Sequence, residues 1–192
     1  MNGAPATGTV LRFAEPGQAP VTVENTGPAA VDAVLTLRGA PLDPPPGGGT
    51  GYRIARAWFT LDGDPADPAA LRQGDRLVTV LTVTPQRTAR ARLMVSDPLP
   101  AGLEIDNPNL IAGGQPGRLA WLTLPEVAQH AEFRADRFAA AVDWEGVEPF
   151  RLAYVVRAVS PGAFRHPAAS VEDMYRPEFR ALTDTGTVTV AP

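Results

Sequence analysis

The cleanest pattern lies in Arg76–Thr84, where Leu77, Thr79, Leu81 and Val83 alternate with Val78, Val80 and Thr82. Both faces are apolar, as in a strand covered on both sides. Ala89–Ser96 is a second strand, with Arg90 and Arg92 pointing one way and Leu93 and Val95 the other. Tyr52–Thr60 alternates as well. Tyr52, Ile54 and Trp58 share a face with Thr60, while Arg53 and Arg56 tend to the other. Phe150–Ala158 is a strand centred on Tyr154, Val155 and Val156, Ala163–Pro167 is a short extended run, and Thr187–Val190 closes the chain as a final strand. Val21–Glu24 and Val31–Arg38 read as two earlier strands. Glu132–Val142 admits two readings: Phe133, Phe138 and Val142 fit helical spacing, and Ala139–Ala141 favours a helix, but the flanking strands favour an extended segment.

Turn chemistry separates these runs. Asn25-Thr26-Gly27-Pro28, Asp62-Gly63-Asp64-Pro65 and Ser160-Pro161-Gly162 are turns, and Asp97–Gly102 is a rigid one with two prolines. Pro68–Leu71 fits one helical turn, and Asn107–Gly117 a polar loop with a brief helical turn near its start. Pro41–Thr50 holds four prolines and three consecutive glycines, which predicts an exposed linker and the best domain boundary in the chain. About nine strands, spaced near ten residues, predict an all-β fold, an antiparallel β-sandwich with at most short helical turns.

Composition narrows the chemistry. The 192 residues include no cysteine, and all 17 basic residues are arginine. There is therefore no thiolate nucleophile, disulfide or Cys-ligated metal, and no Schiff-base or P-loop lysine. The net charge of −4 argues against a nucleic-acid partner. No apolar run reaches the roughly 18 residues of a membrane span, so no direct membrane insertion is expected. Met1–Pro5 shows no basic segment leading into an apolar one, so no signal peptide is visible; a cytoplasmic protein or a piece of a longer exported one both remain open.

Candidate chemical groups are sparse. Asp62, Asp64 and Asp67 have calcium-like spacing, but Pro65 and Pro68 interrupt the loop, and a plain turn is the simpler reading. Asp143, Glu145 and Glu148 read as a solvated hairpin end rather than an acid/base pair. His130 and His166 lack a nucleophile motif or metal-ligand spacing, so neither an enzyme nor a cofactor or metal site is expected. Val171–Phe179 stands out, with two acids preceding a Met–Tyr pair, then an arginine and a proline. By composition it is a hairpin whose Met and Tyr tuck against the sandwich; alternatively Met174 and Tyr175 form an apolar cap for a partner.

Several ordered blocks resemble the last domain of bacterial α2-macroglobulins. They are Gly51–Arg56 through Leu61–Gly63, Gln73–Val78, Asp97–Pro108, Phe133–Phe138, Tyr154–Val159 and Val171–Glu178, the last reading EDMYRPE at its core. The resemblance implies a macroglobulin-like, immunoglobulin-like sandwich over residues 51–192. Residues 1–50 resemble the strand-rich module that follows the thioester domain, and their strands would lack partners here. That family traps proteases in the cell envelope or periplasm: a bait region is cut and a Cys–Gln thioester captures the attacker. The resemblance implies that this domain shields the thioester, with Met174 and Tyr175 as the lock and Glu172, Asp173 and Arg176 positioning the hairpin. The implied partners are the thioester domain and other macroglobulin domains of the same inhibitor, and indirectly target proteases. A stand-alone immunoglobulin-like adhesion or scaffold module is the alternative. The absence of lysine fits either GC-rich coding or a surface kept free of amines that a thioester would capture.

Overall fold

The computed structural model describes residues 22–34, 36, 43–106, 119, 121–124 and 127–192. The chain divides into two units, Met1–Ala40 and Pro41–Pro192. In the first, none of the described residues is in a strand, although Val21–Glu24 and Val31–Arg38 have strand-like sequences. Val23, Val31 and Val34 are 65, 68 and 92% exposed. Val21, Leu35, Leu37 and Arg38 of these two runs lie outside the described residues. The Asn25 turn does form: the Asn25 side chain accepts from Gly27 N and donates to Ala29 O. The loop expected over Asn107–Gly117 lies outside the described residues.

Among the described residues, the second unit holds thirteen strands and no helix. A six-stranded sheet runs in the order β1 (Gly48–Thr50), β12 (Arg180–Leu182), β11 (Ser170–Asp173), β5 (Ala89–Pro98), β8 (Arg137–Gly146) and β7 (Ala128–Phe133). A four-stranded sheet runs β2 (Tyr52–Phe59), β4 (Arg76–Pro85), β9 (Phe150–Ala158) and β6 (Leu103–Ile105). The third sheet is β10 (Gly162–His166), β13 (Gly186–Ala191) and β3 (Leu71–Arg72). Pairing is antiparallel throughout, except for the two-residue β13–β3 contact.

The two larger sheets share one core. Leu93, Val95, Phe138, Ala140, Val142, Val171 and Ala181 of the first meet Ile54, Trp58, Leu81, Val83, Leu152, Tyr154 and Val156 of the second. Alternation produces this directly, because odd positions of β5 and even positions of β8 face inward. Strand β4 is covered on both sides, as its sequence predicts. Its second face, Val78 and Val80, joins Ala153 and Val155 under Phe59, Leu61, Leu119, Trp121, Leu122 and Leu124.

Four local expectations give way. Gly48–Thr50, the end of the supposed linker, forms β1 against β12. A side chain on Gly49 would meet Arg180 O at 2.2 Å, so only glycine allows this close approach. Strand β5 runs through Asp97 and Pro98, which the sequence assigns to a turn. Pro68–Leu71 is not a helical turn: Pro68–Ala70 bends the chain and Leu71 begins β3. Glu132–Val142 is neither a helix nor one strand but the β7–β8 hairpin, reversing at 134–136.

The largest departure is Arg56. It points to the side of Ile54 and Trp58, and only 7% of its side chain is exposed. Arg56 Nη2 lies 3.0 Å from Asp97 Oδ1 and donates to Pro167 O at 2.7 Å. Asp97 is fully buried and accepts from the Tyr154 hydroxyl at 2.7 Å. Arg56 Nη1 sits 2.7 Å from both His166 nitrogens; a neutral imidazole has one acceptor, so one nitrogen accepts and the other is a close neighbour. This knot joins β2, β5, β9 and β10, one strand or more from each sheet.

Burial pushes the Asp97 carboxyl up, opposed by the Arg56 charge and the Tyr154 hydrogen bond. Burial, with the Asp97 charge beside it, raises the Tyr154 phenol well above its usual value. Burial and the Arg56 charge lower His166 to about 3, so its 3.8 Å approach to Asp97 is not an ion pair near neutrality.

Two predictions follow from this knot. Asp97→Ala strands a buried guanidinium and should cost about 3–5 kcal/mol in urea unfolding, whereas the apolar pair Arg56→Met with Asp97→Leu should cost much less. The second concerns pH. Between an unfolded value near 6.5 and a folded value of about 3, the unfolded chain binds a proton at His166 that the folded chain refuses. Stability should therefore be full above about pH 6.5 and fall by up to about 1.4 kcal/mol per unit on acidification. His166→Gln should flatten that slope in urea titrations between about pH 7 and pH 5, while the raised Asp97 carboxyl, which binds a proton more readily in the folded chain, acts in the opposite sense.

Candidate functional site

The Met–Tyr segment is the connection between β11 and β12. Strand β11 lies between β5 and β12 and pairs antiparallel with both, so the connection begins above the β5 backbone. Its base is closed by Asp173 N donating to Phe179 O at 3.0 Å and Met174 N donating to Arg92 O at 2.8 Å. Arg176 N donates to Asp173 O at 3.1 Å, and Phe179 N to Arg176 O at 2.9 Å. Pro177 has its φ fixed by the ring, which favours a sharp turn here.

Asp173 organises this loop from inside. It is 1% exposed, and both its carboxylate oxygens are engaged. Oδ1 accepts from Tyr175 N at 3.1 Å, an Asx-type turn, and Oδ2 accepts from Arg176 Nε at 2.8 Å. Arg176 Nη2 reaches on to Arg90 O at 2.8 Å, tying the loop to β5 a second time. Below lies Tyr52, 3% exposed. Burial raises its phenol, the Asp173 charge adds to the rise, and Arg176 and Arg87 oppose it.

The result is a braced backbone that displays Met174 and Tyr175. Met174 is 49% exposed and Tyr175 74% exposed, so neither tucks against the sandwich. Of the five residues singled out in the sequence, Asp173, Met174, Tyr175 and Arg176 form one turn. Glu172 stands apart from it, exposed on β11 opposite Met94 and Arg180. Arg92, beside the turn, is paired to Asp143 at 2.8 Å, and Tyr175 interacts with the same guanidinium. Arg90, Arg92, Asp143, Asp173, Tyr175 and Arg176 line a shallow depression there.

Sequence reasoning does not find Tyr52, Arg87, Arg90 or Phe179 as supports of this turn. Tyr52 and Arg90 lie on predicted strands, but nothing in their spacing shows that β11 lands beside them. Among the described residues, no group of three or more His, Asp or Glu side chains is placed to hold a metal. His166 is buried and borders a depression together with Arg56, Trp58 and Thr183.

The fold and the exposed turn define a class: an immunoglobulin-like β-sandwich of the macroglobulin type. A family model described as the Bacterial Alpha-2-macroglobulin MG10 domain matches residues 51–178, and the chain belongs to that family. Over 176 residues it is 36% identical to the alpha-2-macroglobulin of Xylella fastidiosa (strain 9a5c), covering 86% of this chain and 10% of that one. The crystal structure of native Escherichia coli alpha-2-macroglobulin, from domain MG7 to the C-terminus, is similar with a TM-score of 0.69 and 32% identity. That match covers 80% of this chain and 25% of the other. Salmonella alpha-2-macroglobulin reacted with methylamine gives a TM-score of 0.71 and 35% identity, covering 80% of this chain and 10% of that one. The chain thus spans about a tenth of the length of the curated relative it matches.

The bracing has a measurable weight. Asp173→Ala leaves Tyr175 N and the Arg176 guanidinium without their acceptor and should cost about 1–3 kcal/mol in urea unfolding. Asp173→Asn keeps one acceptor oxygen and should cost less.

Proposed function

We propose that this chain is the carboxy-terminal part of a broad-spectrum protease inhibitor and shields the reactive thioester of a neighbouring domain until a bait region is cut. The observation that carries the reading is the turn itself: Met174 and Tyr175 are exposed at 49 and 74% on a backbone fixed by the buried Asp173. A thioester persists in water only where water is kept away. A thioether that adapts its shape, beside a flat aromatic ring, suits a cap over such a bond. With no cysteine, this chain cannot itself form the thioester and would act only as its guard.

The partners of this reading are the thioester domain and other macroglobulin domains of the same polypeptide, with target proteases met only through them. The periplasm or cell envelope is the compartment that goes with it. Asp173 and Arg176 fix the turn, and Glu172 is an exposed flank of the contact.

The test is the intact polypeptide that carries this chain. Tyr175→Ala should speed methylamine uptake by about tenfold, the equivalent of roughly 1.4 kcal/mol of closure. Tyr175→Phe, which keeps the ring, should stay near the parent rate. An unchanged rate in Tyr175→Ala removes the shielding role.

A further inference from the structure

A second element meets this turn from below. Arg87 sits in the connection between β4 and β5, and its guanidinium carbon lies 3.9 Å from the centre of the Phe179 ring. Arg87 Nη1 is buried and has no hydrogen-bond partner. Leaving a cationic nitrogen buried and unpaired is unfavourable, and an aliphatic side chain would fill the same space without that cost. What the charge adds is direction, because a cation holds an aromatic ring face-on to itself.

Phe179 is the residue whose carbonyl closes the loop on Asp173 N and whose amide donates to Arg176 O. Its ring also lies beside the Arg176 guanidinium, at 5.8 Å. Gly51 completes the seat. Its φ is +78°, and an added Cβ would stand 2.8 Å from Phe179 Cδ1 and 3.4 Å from Arg87 Cδ. Gly51 O accepts from Gln86 N at 2.9 Å, so the same glycine fixes the stretch that carries Arg87.

We infer that Arg87, Phe179 and Gly51 form a clamp that sets where Met174 and Tyr175 project, with Arg87 as its positioning residue. The ring is held by the cation on one contact and by the bare glycine backbone on another. With the ring fixed, the Phe179 backbone stays in reach of Asp173, and the turn keeps its aim. Rigid presentation matters for a contact that must form without ordering costs. The functional half of this inference rests on the shielding reading above; the structural half does not.

Hydrogen exchange on the 192-residue chain tests the structural half. In Arg87→Met the amides of Asp173 and Met174 should exchange about tenfold faster, while those of β4 and β9 keep their protection. Arg87→Lys, which keeps a cation over the ring, should restore most of the difference. Unchanged exchange in Arg87→Met overturns the clamp, and so does an equal rise in the Lys and Met variants, which would show lost packing rather than a lost charge. Should Arg87→Met not fold, Phe179→Leu removes the π face at similar apolar character and should loosen the same two amides; failure to do so also overturns the clamp. In the intact polypeptide, Arg87→Met should speed methylamine uptake along with Tyr175→Ala. Acceleration by Tyr175→Ala alone removes the clamp from shielding, whereas acceleration by neither removes the shielding reading itself.

Discussion

The ion pair between Arg56 and Asp97 is the contact on which the sandwich depends. Asp97 is fully buried, and the Arg56 side chain nearly so. Two charges removed from water are tolerated only where geometry and further hydrogen bonds satisfy them. Tyr154, Pro167 and His166 supply bonds to the pair, while Arg56 Nε and Asp97 Oδ1 have no hydrogen-bond partner. Because Arg56, Asp97, Tyr154 and His166 lie on four different strands, these contacts form together only when the six-stranded, four-stranded and three-stranded sheets are in register. Apolar packing between sheets is forgiving of small slips, and a buried carboxylate is not. The knot therefore acts on specificity, fixing how the layers sit, more than on net stability.

A second buried carboxylate, Asp173, works on a smaller scale. Asp97 ties sheet to sheet, while Asp173 accepts from Tyr175 and Arg176 of one loop, and Arg176 reaches on to β5. Both lie on strands of the six-stranded sheet, and β5 is common to both. It carries Asp97 near one end, and toward the other it offers the carbonyls of Arg90 and Arg92 to the loop. The strand that locks the core thus also supports the display turn, so the turn inherits the rigidity of the sandwich rather than the mobility usual in loops.

Much of this architecture is legible in the sequence because alternation is a local property. The two-sided apolar run of β4, the inward odd positions of β5 and the bounds of β9 follow from it directly. Arg56 shows where a residue-type habit misleads. Parity places it with Tyr52, Ile54 and Trp58, yet a charge suggests the outer face, and parity proves right because Asp97 waits across the core. Gly48–Thr50 misleads in the opposite sense: three glycines look like a linker, but their lack of side chains lets a backbone pair closely with β12. The Met–Tyr turn was visible as a composition and as a family resemblance. Its exposure is one of two readings there, and its bracing is not legible, because that depends on Asp173 and Phe179 meeting through space, and on the remote Arg87 and Gly51.

Exposed apolar groups usually cost a domain little when single and more when clustered. Met174 and Tyr175 are adjacent, yet the loop beneath them is held by charge-assisted bonds that would hold equally well under a polar tip. The bracing runs mainly through Asp173, Arg176 and backbone groups, and Tyr175 adds a side-chain interaction with Arg92. In the proposed shielding contact, the energetic work of shaping the turn is done before the partner arrives, and the apolar surface is left for it to bury.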